Sequence, residues 1–112
     1  MDEITCFNDY QNRASATADF PKEHGHAYVA LGLNGEAGEY AELIKKMLRD
    51  DGGKLSPERR QKALYELGDV LWYLSQSARL CNFTLRDIAE ANIEKLMSRK
   101  ERGKIHGDGD DR

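Results

Sequence analysis

The sequence has no apolar run near the ~18 residues that a membrane-spanning helix needs, so no membrane partner is expected. It has two cysteines, Cys6 and Cys81, without C-x-x-C spacing, and these indicate neither a zinc site nor a disulfide framework. Its opening Met1-Asp2-Glu3-Ile4 is acidic and leads into no apolar core, so no secretory signal is read there. Reduced thiols and a cytoplasmic location are the expectation. An excess of positive charge is also missing. Against 20 acidic residues stand 17 basic ones, and the net charge of −3 weighs against a nucleic-acid partner. No segment alternates with period two, so no sheet is predicted. Only Pro21 and Pro57 interrupt the chain, which leaves long intervals open to helix.

What is present fits one small domain. At 112 residues, 39% hydrophobic and 33% charged, the chain can form a single core of modest size. A first helix is predicted over 5–18, with Thr5 as N-cap, Phe7, Tyr10 and Ala14 at helical spacing, and Pro21 closing it. A second runs from about His24 to Arg49 and contains Gly32, Gly35 and Gly38, which suggest close approach of a backbone or ligand, or else a break. After the turn cluster Asp50 to Lys54, Ser56-Pro57 starts a third helix that reaches Leu80. Thr84-x-x-Asp87 reads as a capping box for a fourth, Leu85 to about Lys100, and a tail follows over 103–112. The fold class expected is all-α: a four-helix bundle with a short C-terminal tail, one domain over 1–112.

Two of these helices carry misplaced acids. With about 100° per residue, Tyr40, Leu43, Ile44 and Met47 form an apolar arc that includes Glu36 and has Glu39 on its edge. The same count from Glu66 places Val70, Leu74, Leu67 and Leu71 on one side, with Glu66 at one end and Asp69 just past it. Four carboxylates are therefore expected to point toward a shared interior, a costly arrangement unless a cation is bound. Glu42 points away and is expected to pair with Lys45 or Lys46. The fourth helix shows the opposite charge: Asn92 lies inside its apolar face, with Arg99 and Lys95 on the flank. A hard divalent cation held by oxygen ligands, beside an amide and cations suited to an anionic substrate, implies phosphoryl or nucleotidyl chemistry with water as nucleophile.

Glu36-x-x-Glu39 followed by Glu66-Leu67-Gly68-Asp69-Val70-Leu71-Trp72-Tyr73-Leu74 resembles the MazG-like nucleotide pyrophosphohydrolases, whose signature is E-x-x-E, a spacer, then E-x-x-D. Tyr10-Gln11, Ala91 to Leu96, and the ending from Arg102 to Arg112 extend the resemblance over most of the chain. It implies an all-α enzyme hydrolysing a nucleoside triphosphate between the α and β phosphates, giving the monophosphate and pyrophosphate. It implies Mg²⁺, for which Mn²⁺ can substitute, with Glu36, Glu39, Glu66 and Asp69 as ligands. Glu39, or Glu36 beside it, would activate the water. Asn92 and Lys95 match substrate-contacting positions, and Arg99, Lys104 and Arg112 are added as candidates. A homodimer, or a tetramer built from dimers, is implied as well. One departure is Gly35, where many members carry a further Glu.

Other readings are open to the sequence. A dUTP- or dCTP-specific enzyme of the same helical group is one, and a catalytically silent regulatory module is another. Glu23-x-x-His26 has no second copy, as a di-iron bundle would require. Trp72 is either an oligomer contact or a wall of the base pocket, and Leu48 and Ile105 are expected partly outside the core.

Overall fold

Local capping decides where the helices begin. The computed structural model describes Met1–Arg112 and contains α1 (Phe7–Ser15), α2 (Gly25–Asp50), α3 (Pro57–Leu80) and α4 (Leu85–Glu101), with a 3₁₀ turn over Lys22–His24 and no strand. Ser56 Oγ accepts from Arg59 N at 3.2 Å, and Pro57 opens α3. The capping box is complete: Asp87 N donates to Thr84 Oγ1 (3.0 Å) and Thr84 N to Asp87 Oδ2 (2.9 Å). Between these helices Asn82 takes the left-handed conformation (φ 63°), and Phe83 N donates to Ala78 O at 2.8 Å. That is a Schellman ending with asparagine in the usual glycine place.

The first helix differs from expectation. Its N-cap is Cys6, whose Sγ accepts from Asp9 N, while Thr5 N and Oγ1 instead bind the Asp9 carboxylate. Adjacent cap candidates compete for the same amides, and the Asp9 carboxylate captures Thr5. At the other end α1 stops at Ser15 rather than running on to 18, with Thr17 Oγ1 turned back onto Ala14 O. The second helix is unbroken through its glycines. Gly32 alone of the three supports close approach: a Cβ there would sit 2.1 Å from Tyr73 Cε1, whereas Gly35 and Gly38 face open space.

Packing joins α2 along α3 and lays α1 across α3 and α4; α2 touches neither α1 nor α4. Gln11 stitches the second group together. Its Nε2 donates to Ser75 O and Phe83 O (both 3.1 Å), and its Oε1 accepts from Leu85 N at 3.0 Å. One buried amide thus fixes α1, the end of α3 and the start of α4. Gln11→Ala is expected to cost about 2–3 kcal/mol by leaving buried backbone groups unpaired. Urea denaturation would show this as a lower midpoint at unchanged slope.

The four helices do not close around one interior within a single chain. Only Ala14, Val29, Leu43, Ala63, Ala78 and Leu85 form a fully buried apolar core. On α4, Leu85 is buried and Ile88 and Ala89 are half-buried, but Ile93 and Leu96 are exposed. The helix leaves its neighbours after its first turns. The radius of gyration is 16.9 Å, against about 13 Å for a compact chain of this length. The expectation that four carboxylates share an interior is corrected accordingly: Glu36 and Glu66 are half-buried, and Glu39 and Asp69 are exposed. A helical wheel measures which face is apolar, not whether another helix covers it. Leu48 and Ile105 are exposed, and no helix is long and apolar enough to cross a membrane.

Candidate active site

The α2–α3 pairing brings Glu36 of α2 against Glu66 and Asp69 of α3. One carboxylate oxygen from each lies within 4.8 Å of the others. Burial raises the Glu36 carboxyl above its ordinary value, and the charges of Asp69, Glu66 and Glu39 raise it further. None of these four acids forms an ion pair with any Lys, Arg or His of the chain, although eight ion pairs form elsewhere. The fold concentrates negative charge here, and no cation of the chain lies within ion-pair distance of it.

Glu39 stands outside this cluster. With Glu66 it lines a groove of about 400 Å³ between α2 and α3, which also takes in Lys46, Arg59, Lys62 and Tyr65. Arg59 is held by Asp50 and Asp51, while Lys46 and Lys62 have no acidic partner. Lys62 precedes Glu66 by one helical turn, a spacing visible in the sequence. Glu42 pairs with Lys45 at 2.9 Å.

On the other side of the acids stands an aromatic group. Tyr73, one turn after Asp69, lies against Gly32, one turn before Glu36. Its ring is 6.5 Å from Tyr28, which stacks on Phe20 at 5.1 Å. Burial, then Tyr28, then Glu36 and Asp69 raise the Tyr73 phenol above its ordinary value. Tyr10 is raised by burial and by Asp69. Trp72 meets Tyr73 edge-on at 5.0 Å, and its Nε1 donates to Thr17 Oγ1 at 2.8 Å. It is half-buried and tied within the chain. Gly32 and Tyr73 were not singled out as a pair from the sequence, because only the helix crossing joins them.

The five candidate substrate residues have other partners than the acids. Asn92 borders a small apolar pocket with Phe7, Leu71 and Ile88, while Lys95 and Arg99 both reach Asp110 of the tail. Arg112 donates to the carbonyls of Lys104, Ile105 and Gly109. No hydrogen bond or ion pair connects any of the five to the acid cluster. His24, His26 and His106 are exposed and join no metal-binding group.

Residues 24–103 match the family model for the MazG nucleotide pyrophosphohydrolase domain. The chain belongs to this family. The gene 37 protein of Mycobacterium phage L5 is 45% identical over 109 residues, covering 92% of this chain and 96% of that protein. The dCTP pyrophosphatase 1 of Mus musculus is 34% identical and that of Rattus norvegicus 32%, each over 94 residues, or 82% of this chain. The chain spans about half the length (54%) of these two mammalian relatives. No solved structure matches it significantly. The chain thus carries an all-α MazG nucleotide pyrophosphohydrolase domain. Enzymes of this type depend on a metal, and the three convergent carboxylates are a donor set that fits a hard divalent cation. Gly35, where many members have Glu, would accept a Cβ without contact, so packing does not exclude the acid there.

Proposed function

We propose that the chain is a Mg²⁺-dependent hydrolase of (deoxy)nucleoside triphosphates, cutting between the α and β phosphates to give the monophosphate and pyrophosphate. The observation that carries this reading is the charge of Glu36, Glu66 and Asp69, drawn together with no ion pair to any cation of the chain. A silent module would gain nothing from that cost. Glu36, Glu66 and Asp69 hold the ion, Mg²⁺ or in its place Mn²⁺, and Glu39 completes the acid set. Bound there, the cation offsets the negative charge of the phosphate oxygens. Glu39 or Glu36 orients the attacking water and takes its proton. Lys62 and Lys46 give the groove the positive charge that a phosphate chain requires, and the Tyr73–Tyr28–Phe20 group offers flat faces to a base.

The same reading assigns the unclosed bundle to a homodimer, or a dimer of dimers, working in the cytoplasm without nucleic acid. Leu31, Leu64, Ile93 and Met97 are 74%, 62%, 59% and 47% exposed, which a lone chain does not tolerate well. In the dimer, Asn92, Lys95, Arg99, Lys104 and Arg112 face the sugar and phosphates, those of α4 across the interface. Similarity to dCTP pyrophosphatases makes dCTP the first substrate to test, ahead of dUTP.

The test is incubation with Mg²⁺ and a panel of nucleotides. Pyrophosphate release from at least one, lost in Glu66→Gln, is expected. Inorganic phosphate as the first product, or release equal to that of the variant for every nucleotide, contradicts it. Light scattering should give two or four chains per particle, and a monomer would contradict the assembly.

A further inference from the structure

Arg99 of α4 and Arg102 at its C-cap fasten the tail through main-chain oxygens, and Arg112 folds the tail on itself. Gly103, at φ 68°, ends α4, with Lys104 N bonded to Arg99 O. Arg112 donates to three tail carbonyls, and Arg102 donates to Arg112 O. Arg99 is buried, its side chain 5% exposed, and its Nη2 donates to Asp110 O at 2.8 Å and Gly109 O at 3.4 Å. These bonds use main-chain oxygens and hold the tail whatever side chain occupies position 110.

The Asp110 carboxylate is the exception. Its Oδ1 lies 3.1 Å from Lys95 Nζ and 3.3 Å from Arg99 Nη2, while the side chain is 84% exposed. Arg99 Nε is buried and has no partner, so the tail does not satisfy the guanidinium. The pair with Lys95 is exposed on both sides, and an ion pair of this kind contributes little to stability and exchanges readily. An exposed carboxylate thus sits on an exposed cation of α4, Lys95, while the main chain of the same residue is what Arg99 holds.

We propose that Asp110 is a built-in competitor for the phosphate chain of the substrate: its carboxylate neutralises the exposed Lys95 ammonium until a phosphate displaces it. This rests on the reading that Lys95 faces phosphate. Asp110 then sets affinity by acting through Lys95, and is a positioning residue rather than a catalytic one. A phosphate group carries more charge than one carboxylate and presents more acceptor oxygens, so it wins the exchange. Pairing with Lys95 and Arg99 holds the Asp110 carboxyl below its usual range, so near neutral pH the competitor stays ionised.

Asp110→Asn keeps the acceptor oxygen and removes the charge. At low ionic strength the variant should show a KM for the best nucleotide of the panel lowered by about three- to fivefold, with no such change in kcat. The inhibition constant of tripolyphosphate, which has no base or sugar, should fall in parallel. The gain should fade at high salt. Lys95→Gln should raise KM, and Asp110→Asn on that background should lower it by less. If Lys95→Gln leaves KM unchanged, the phosphate-facing reading fails and the inference with it. If Lys95→Gln raises KM but Asp110→Asn leaves it unchanged or raises it, the inference alone is overturned. A purely structural Asp110 would instead show a lower thermal midpoint and no salt-dependent gain.

Discussion

Glu36→Gln is expected to raise the thermal midpoint of the metal-free protein while reducing Mg²⁺-dependent turnover by about 100-fold or more. Both effects have one cause. Burial and the charges of Asp69, Glu66 and Glu39 hold the folded-state carboxyl of Glu36 above its unfolded value. Between those two values the unfolded chain binds fewer protons than the folded one, so stability falls as pH rises through that window. Above it the full penalty remains, and below the unfolded value it is absent. Glutamine is neutral throughout and escapes the penalty, but it cannot supply an anionic ligand. Melting curves across acid and neutral pH in chelator should therefore converge for the two proteins at low pH and separate near neutrality. Added Mg²⁺ should stabilise only the parent protein. A variant that melts lower than the parent at neutral pH in chelator would contradict the picture of uncompensated repulsion.

The second large effect is expected at Gly32. A Cβ there would lie 2.1, 2.4 and 2.6 Å from three atoms of the Tyr73 ring, so either the ring or the helices must move. Overpacking of this kind costs about 1–3 kcal/mol. The consequence for the site follows from spacing. Gly32 and Glu36 are one turn apart on α2, and Asp69 and Tyr73 one turn apart on α3, so the contact that separates the helices is next to the one that gathers the acids. Gly32→Ala should lower the urea midpoint and also weaken Mn²⁺ binding, read by the electron paramagnetic resonance of the free ion. Adding Tyr73→Leu should recover both. A Gly32→Ala protein with the parent's stability and Mn²⁺ affinity would show that this contact does not set the helix separation.

The legible features were the local ones. Ser56-Pro57 and Thr84-x-x-Asp87 declare helix starts because a cap needs only residues within one turn. Thr5 misled because Cys6 beside it can also accept from Asp9 N, and the chain settles between them through the Asp9 carboxylate. The acid pairs were visible as types at helical spacing, but their approach depends on how α2 crosses α3. At that crossing a glycine and a tyrosine 41 residues apart come into contact. Burial was read too generously, since an apolar stripe on α4 looks the same whether this chain or a second copy covers it. The tail was the least legible part: nothing local says that Asp110 reaches Lys95 and Arg99.

The central claim is that Glu36, Glu66 and Asp69 together hold the divalent ion. The most direct measurement is an anomalous diffraction map from crystals grown with Mn²⁺ and a non-hydrolysable nucleotide. The account predicts a peak about 2.1–2.2 Å from a carboxylate oxygen of each of the three, with the phosphates beside it. A peak that leaves out two of these residues, or one lodged instead at Asp50 and Asp51, would contradict it.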